Sequence, residues 1–246
     1  MSDNKILPAI ILAAGIASGA GLLGAQFKNL RQPGTITVKG LAEAQHNATL
    51  GTWRVGVETW GQDYAAALAA NKKHLAKLKD FLKQQGFPYE ALQQDEVDVS
   101  SHNERYYDEK DNERTRQNGY DATRHITVTT KDLAALQKAL SAIQGLRAEN
   151  ENVVFGEPKY FLDNLETIKR DLIAKATQDA KVRADEFAKT GNARVGAMTS
   201  ASQGSFDIKA AGVTDEDGDD SYGGSYSTST IEKKVRLVVT IQYTID

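Results

Sequence analysis

From Ile6 to Phe27 the chain carries no charged side chain, with Lys5 before this run and Lys28 and Arg31 after it. Twenty-two residues in a helix reach roughly 33 Å, enough for a hydrocarbon core of about 30 Å. A soluble helix keeps a polar face, and nothing here marks one. Two readings remain. The segment is an uncleaved anchor, or it is a secretory signal whose apolar part, Ile6 to Ile16, has the length of an h-region. In the second case Ser18-Gly19-Ala20 supplies the small residues of a cleavage site, and the mature chain starts near Gly21. The anchor is the expectation, with residues 1–34 as a membrane segment and residues 35–246 as a folded domain. Gly15 and Gly19, and Ala20 and Gly24, are spaced for close helix–helix packing in a membrane.

The folded part is of ordinary single-domain size, and its composition, 40% hydrophobic and 26% charged, is that of a globular chain. There is no cysteine among the 246 residues. Disulfides, thiolate metal sites and a cysteine nucleophile are therefore excluded. A net charge of -3 argues against nucleic acid as a partner, since nucleic-acid domains are usually basic.

Past Gln32-Pro33-Gly34 the apolar residues alternate, as in a half-buried strand: Ile36 and Val38, then Trp53, Val55 and Val57. Pairing Val38 with Val55 and Ile36 with Val57 predicts a hairpin turning at Gln45-His46-Asn47-Ala48. A helix is expected over 62–85, with Leu75, Leu78 and Leu82 on its apolar stripe. Val97 and Val99 set against Val128 and Ile126 predict a second hairpin with a charged tip at Lys110 to Arg114. Further helices are expected over 131–143 and 164–190. The second of these has Ala176, Ala180, Ala184 and Phe187 inward. Strands over about 194–207 and 231–245 end the chain. The expected architecture is α+β: an N-terminal membrane helix, then a two-layer domain in the order β-β-α-β-β-α-β-α-β-β.

Between the last two strands, residues 213–230 have no aliphatic side chain after Val213. Asp215, Glu216, Asp217, Asp219 and Asp220 make this an acidic insert, expected to be a mobile loop that attracts cations weakly at most. It fails as a calcium loop. Were Asp215 the first ligand, the obligatory glycine falls on Asp220 and the closing carboxylate on Tyr226.

Three stretches, ITVKGLAEAQHNATLGTWRVGVET, NGYDATRHITVTTKDLAAL and IAKATQDAKVRADEFAKTGNARVGAMTSAS, resemble the SIMPL domain family of bacterial envelope proteins. The resemblance runs through nearly all of residues 35–246. It implies an exported protein that forms ring- or cage-like homo-oligomers, and it offers no catalytic set to transfer. In this setting the anchor places the domain in the periplasm, or signal cleavage releases it there. The residues themselves hold no phosphate cradle, nucleophile elbow or HExxH motif. His46, His74, His102 and His125 are scattered. No catalytic residue, metal site or cofactor is expected. The functional expectation is a membrane-anchored, self-assembling structural protein. The alternative is a periplasmic binding or adaptor module for a protein or small ligand.

Overall fold

The computed structural model describes residues 6–29, 34–212 and 224–245, and the side chains of 6–11, 23 and 25–29 fall outside the description. The described elements follow in this order: α1 (Ile6–Asn29), β1 (Gly34–Asn47), β2 (Leu50–Gly61), α2 (Tyr64–Gln84), β3 (Leu92–Gln94), β4 (Asp98–Tyr107), β5 (Glu113–Thr130), α3 (Leu133–Glu149), β6 (Val153–Phe155), β7 (Lys159–Phe161), α4 (Leu165–Thr190), β8 (Val195–Ala210) and β9 (Glu232–Ile245). The fold is therefore mixed α and β, with two sheets.

The expected first hairpin does not form. β1 pairs with β9 in a three-stranded sheet of order β1-β9-β8. β2 already has neighbours on both sides. Trp53 faces Val128 and Val55 faces Ile126 of β5, while β6 and β7 pair with the other edge of β2. Two residues link β1 to β2, and their backbone donors go elsewhere, Ala48 N to Ile231 O (2.8 Å) and Thr49 N to Phe161 O (2.9 Å). This link is a corner between sheets, and matching apolar parity in two adjacent strands does not distinguish it from a turn.

The second hairpin does form, in a shifted register. Val99 lies opposite Ala122, not Ile126, an irregularity falls between Ser101 and Asn103, and Tyr107 lies opposite Glu113. The turn is fixed by Asp108, whose carboxylate accepts from Lys110 N (2.9 Å) and Asn112 N (3.0 Å). Up to Ser101 the shift from the expected pairing is four residues, so side-chain facing is preserved there, and beyond the irregularity the shift is five. β3, not β4, occupies the place beside Val128, through Leu92.

The chain divides into two compact units. The larger comprises residues 43–172 and 205–237. Its core is built of large side chains: Trp53, Val55, Leu78, Leu82, Ile126, Leu136 and Ile143 are all fully buried. α2 starts where Asp63 accepts from Ala66 N (2.8 Å), and α3 where Asp132 accepts from Ala135 N (2.9 Å). Asn71 of α2 is buried yet satisfied, donating to Val57 O (3.3 Å) and Ala122 O (2.9 Å). α3 runs six residues past its expected end, because Gly145 faces open space and Leu146 continues the inward stripe.

The smaller unit comprises residues 1–42, 173–204 and 238–246. Its core is built of small ones. Ala176, Ala180, Ala184 and Ala188 of α4 recur every fourth residue and are buried. The helix backbone meets β1 at Gly40, where an added Cβ would stand 2.0 Å from Ala176 O and 2.7 Å from Ala180 N. Val38, Val239, Ile241 and Tyr243 complete the buried set. Phe187, expected inward, is 64% exposed, because it lies off the alanine stripe.

Candidate functional site

The residues singled out from the sequence fall in two places. Gly15, Gly19 and Gly24 lie on α1, and a Cβ at any of them would meet nothing within 4 Å. Ala20 is exposed on the same helix. Among the described residues, no helix is long and apolar enough to cross a membrane. The described side chains of α1 cover only 12–22 and 24. Asp215, Glu216, Asp217, Asp219 and Asp220 lie outside the described residues. The last third of the insert is described, and it is fastened down. Ile208 N donates to Ser225 O (2.7 Å), Ser227 N returns to Ile208 O (2.7 Å), and the Tyr226 hydroxyl accepts from Leu162 N (2.9 Å). The expectation of a free loop through residue 230 is thus corrected for 224–230, whose backbone groups and one aromatic ring replace the missing aliphatic anchors.

That fastened segment walls a cleft of roughly 350 Å³ in the larger unit. Gln137 and Leu140 of α3, Glu157, Pro158 and Tyr160 around β7, Ala211, and Ser229 to Glu232 line it. Burial raises the Tyr160 phenol above its ordinary pKa, and the nearby Glu157 carboxylate adds to the effect. The phenol therefore stays protonated and able to donate at neutral pH. Two carboxylates, Glu157 and Glu232, one phenol, and amide and hydroxyl groups lie beside Leu140, Pro158 and Ile231, so the lining mixes polar and apolar groups.

Lys233 sits next in sequence to this lining. Its side chain is fully buried, and its Nζ donates to Ser227 O at 2.7 Å. Burial lowers its pKa, since a buried ammonium loses its hydration. The contact ties the start of β9 to the insert's return. The sequence held a signal for this residue: Lys233 shares the odd-numbered parity of Val235, Leu237 and Val239, the inward face of the strand.

Of the histidines, His102 Nδ1 contacts Asp121 Oδ2 at 2.8 Å and His74 Nδ1 contacts Asn150 Oδ1 at 2.5 Å. His125 lies opposite Gly56 in the β2–β5 ladder. Among the described residues no three histidines and carboxylates gather as metal ligands would.

The model of the SIMPL family, described as a protein of unknown function (DUF541), matches residues 36–244. The chain belongs to this family, which has no known catalytic role. No curated protein matches the chain.

Proposed function

We propose that the protein is a cell-envelope component, anchored in the inner membrane by residues 6–27, whose periplasmic domain self-assembles into a ring- or cage-like homo-oligomer with a scaffolding role. The observation that carries this reading is the exposure of α1. Leu12, Ile16 and Leu22 are 67%, 64% and 71% exposed on a helix of 24 residues. An apolar helix with its large side chains uncovered needs lipid or other helices around it. The open glycine positions on the same helix support close approach of neighbouring helices. Anchoring also concentrates copies in one plane, which favours weak self-contacts.

Light scattering of the detergent-solubilised full-length chain tests the assembly. A mass several times that of the 26.8 kDa protomer is expected, and a monomer at micromolar concentration contradicts it. Intact mass of membrane-extracted protein tests the anchor. A mature chain starting near Gly21 contradicts anchoring and points to a soluble periplasmic form. The second reading, a binding or adaptor module, draws on the cleft beside Glu157 and Tyr160.

A further inference from the structure

Three polar groups in the cleft of the larger unit are left unsatisfied by the fold. Tyr160 is 6% exposed, and its hydroxyl has no hydrogen-bond partner among the described residues. That oxygen is not one of the polar atoms sealed from solvent, so it opens into the cleft that Tyr160 lines. The carboxylates of Glu157 and Glu232 line the same cleft, and neither has an ion-pair partner among the described residues. Glu157 lies close enough to the phenol for its charge to be felt there. Among the described residues that line the cleft, none is basic. The two lysines adjacent in sequence are turned elsewhere. Lys233 Nζ donates to Ser227 O at 2.7 Å, and Lys159 takes the opposite face of β7 from Tyr160. The cleft is therefore negative, with one free donor on a buried side chain, and Leu140, Pro158 and Ile231 give it an apolar wall.

We infer that this cleft binds a small aliphatic amine that carries a hydrogen-bond acceptor, its ammonium held by the Glu157 and Glu232 carboxylates and its acceptor by the Tyr160 hydroxyl. Resting on the binding reading above, the amine gives that reading its ligand class and does not depend on self-assembly. Charge selects the class. Two unpaired carboxylates repel an anion, and a neutral ligand would desolvate them without compensation. The apolar wall takes an alkyl stem. A volume of roughly 350 Å³ lies near the lower end of small-molecule sites, about 300–1,000 Å³, and suits a ligand of a few carbons. The phenol sets direction, because its ring is packed in the core and its protonated oxygen can donate only to an oxygen or nitrogen acceptor. A calcium ion is a poorer fit, since it takes about six to eight oxygens and, among the described residues, no third carboxylate or histidine joins the pair.

The test is isothermal titration calorimetry of the full-length chain in detergent with four five-carbon probes. Aminopentanol, with its groups at opposite ends, has both features. Pentylamine lacks the acceptor, pentanediol lacks the charge, and hydroxypentanoate reverses it. The natural chain is expected to bind aminopentanol most tightly and pentylamine about five-fold more weakly, with no saturable heat from the diol or the hydroxy acid. Glu157→Gln should weaken aminopentanol about ten-fold. Tyr160→Phe should erase the preference for aminopentanol over pentylamine while leaving the affinity for pentylamine unchanged, which a merely structural role of the ring would not do. Far-UV circular dichroism confirms folding, and Glu232→Gln repeats the carboxylate arm if Glu157→Gln loses ellipticity. Equal affinity for the diol, or carboxylate variants that bind as the natural chain does, overturn the amine class while a binding role for the cleft stands. No saturable heat from any probe overturns the site itself and leaves the binding reading only for a protein partner.

Discussion

Trp53 and Gly40 occupy the centres of two cores built by opposite means. Around Trp53 the larger unit fills space with bulky side chains, and the indole N–H is satisfied by Gly156 O at 2.8 Å. Around Gly40 the smaller unit lets a helix backbone touch a strand, with alanines as spacers. The first design gains stability from apolar area. The second gains it from close backbone contact, buries less area per residue and tolerates no added atom. Edge protection differs in parallel. In the larger unit β3, β6 and β7 are three residues long and β4 is tied to β5 by ion pairs, while residues 197–204 of β8 in the smaller unit are exposed.

Substitutions that separate the two modes rank by size. Trp53→Ala should cost about 4 kcal/mol, from lost burial and the cavity left behind. A urea midpoint close to that of the natural chain would show that the larger core is less tightly packed than described. Gly40→Ala should cost about 3 kcal/mol although it adds only a methyl group, since its neighbours are backbone atoms. A loss below 0.5 kcal/mol, the range of ordinary surface changes, would break the contrast between the units. Asn71→Ala should cost about 2 kcal/mol by leaving Val57 O and Ala122 O without the amide donor. Thermal unfolding checks this.

The smallest effect concerns pH. Asp163 accepts from the Thr49 hydroxyl (2.6 Å) and pairs with Lys131 (2.9 Å), and these contacts, the hydroxyl's first, hold its carboxyl below the usual range. Its folded pKa is depressed, so its contribution is complete above the unfolded value, about 3.9, and is lost as pH falls through the folded one. Asp163→Asn should therefore lower stability slightly at neutral pH and flatten the acid limb of the stability profile below about pH 4. An unchanged acid limb would remove the assigned role.

Helix positions were legible because the apolar stripe of each long helix and the caps at Asp63 and Asp132 are local signals. Facing was legible as well in the part of the second hairpin before Ser101, since the period of two survives a four-residue slip, but not beyond the irregularity, where the slip is five. Partnering was not. Nothing local tells Val55 that its neighbours are Ile126 and Phe155 and not Val38. Nor does composition reveal that Ser225 and Ser227 dock on Ile208, because backbone bonds hold that segment without apolar side chains. Of the candidate surfaces, the apolar N-terminal run stood out at once. The cleft did not, because Gln137, Tyr160, Ala211 and Ile231 come from four separate segments.

The claim that the anchored domain self-assembles is tested most directly by sedimentation of the full-length chain in detergent across a concentration series. The account predicts a mass several times that of the 26.8 kDa protomer, falling on dilution. The protomer mass at every concentration would contradict it.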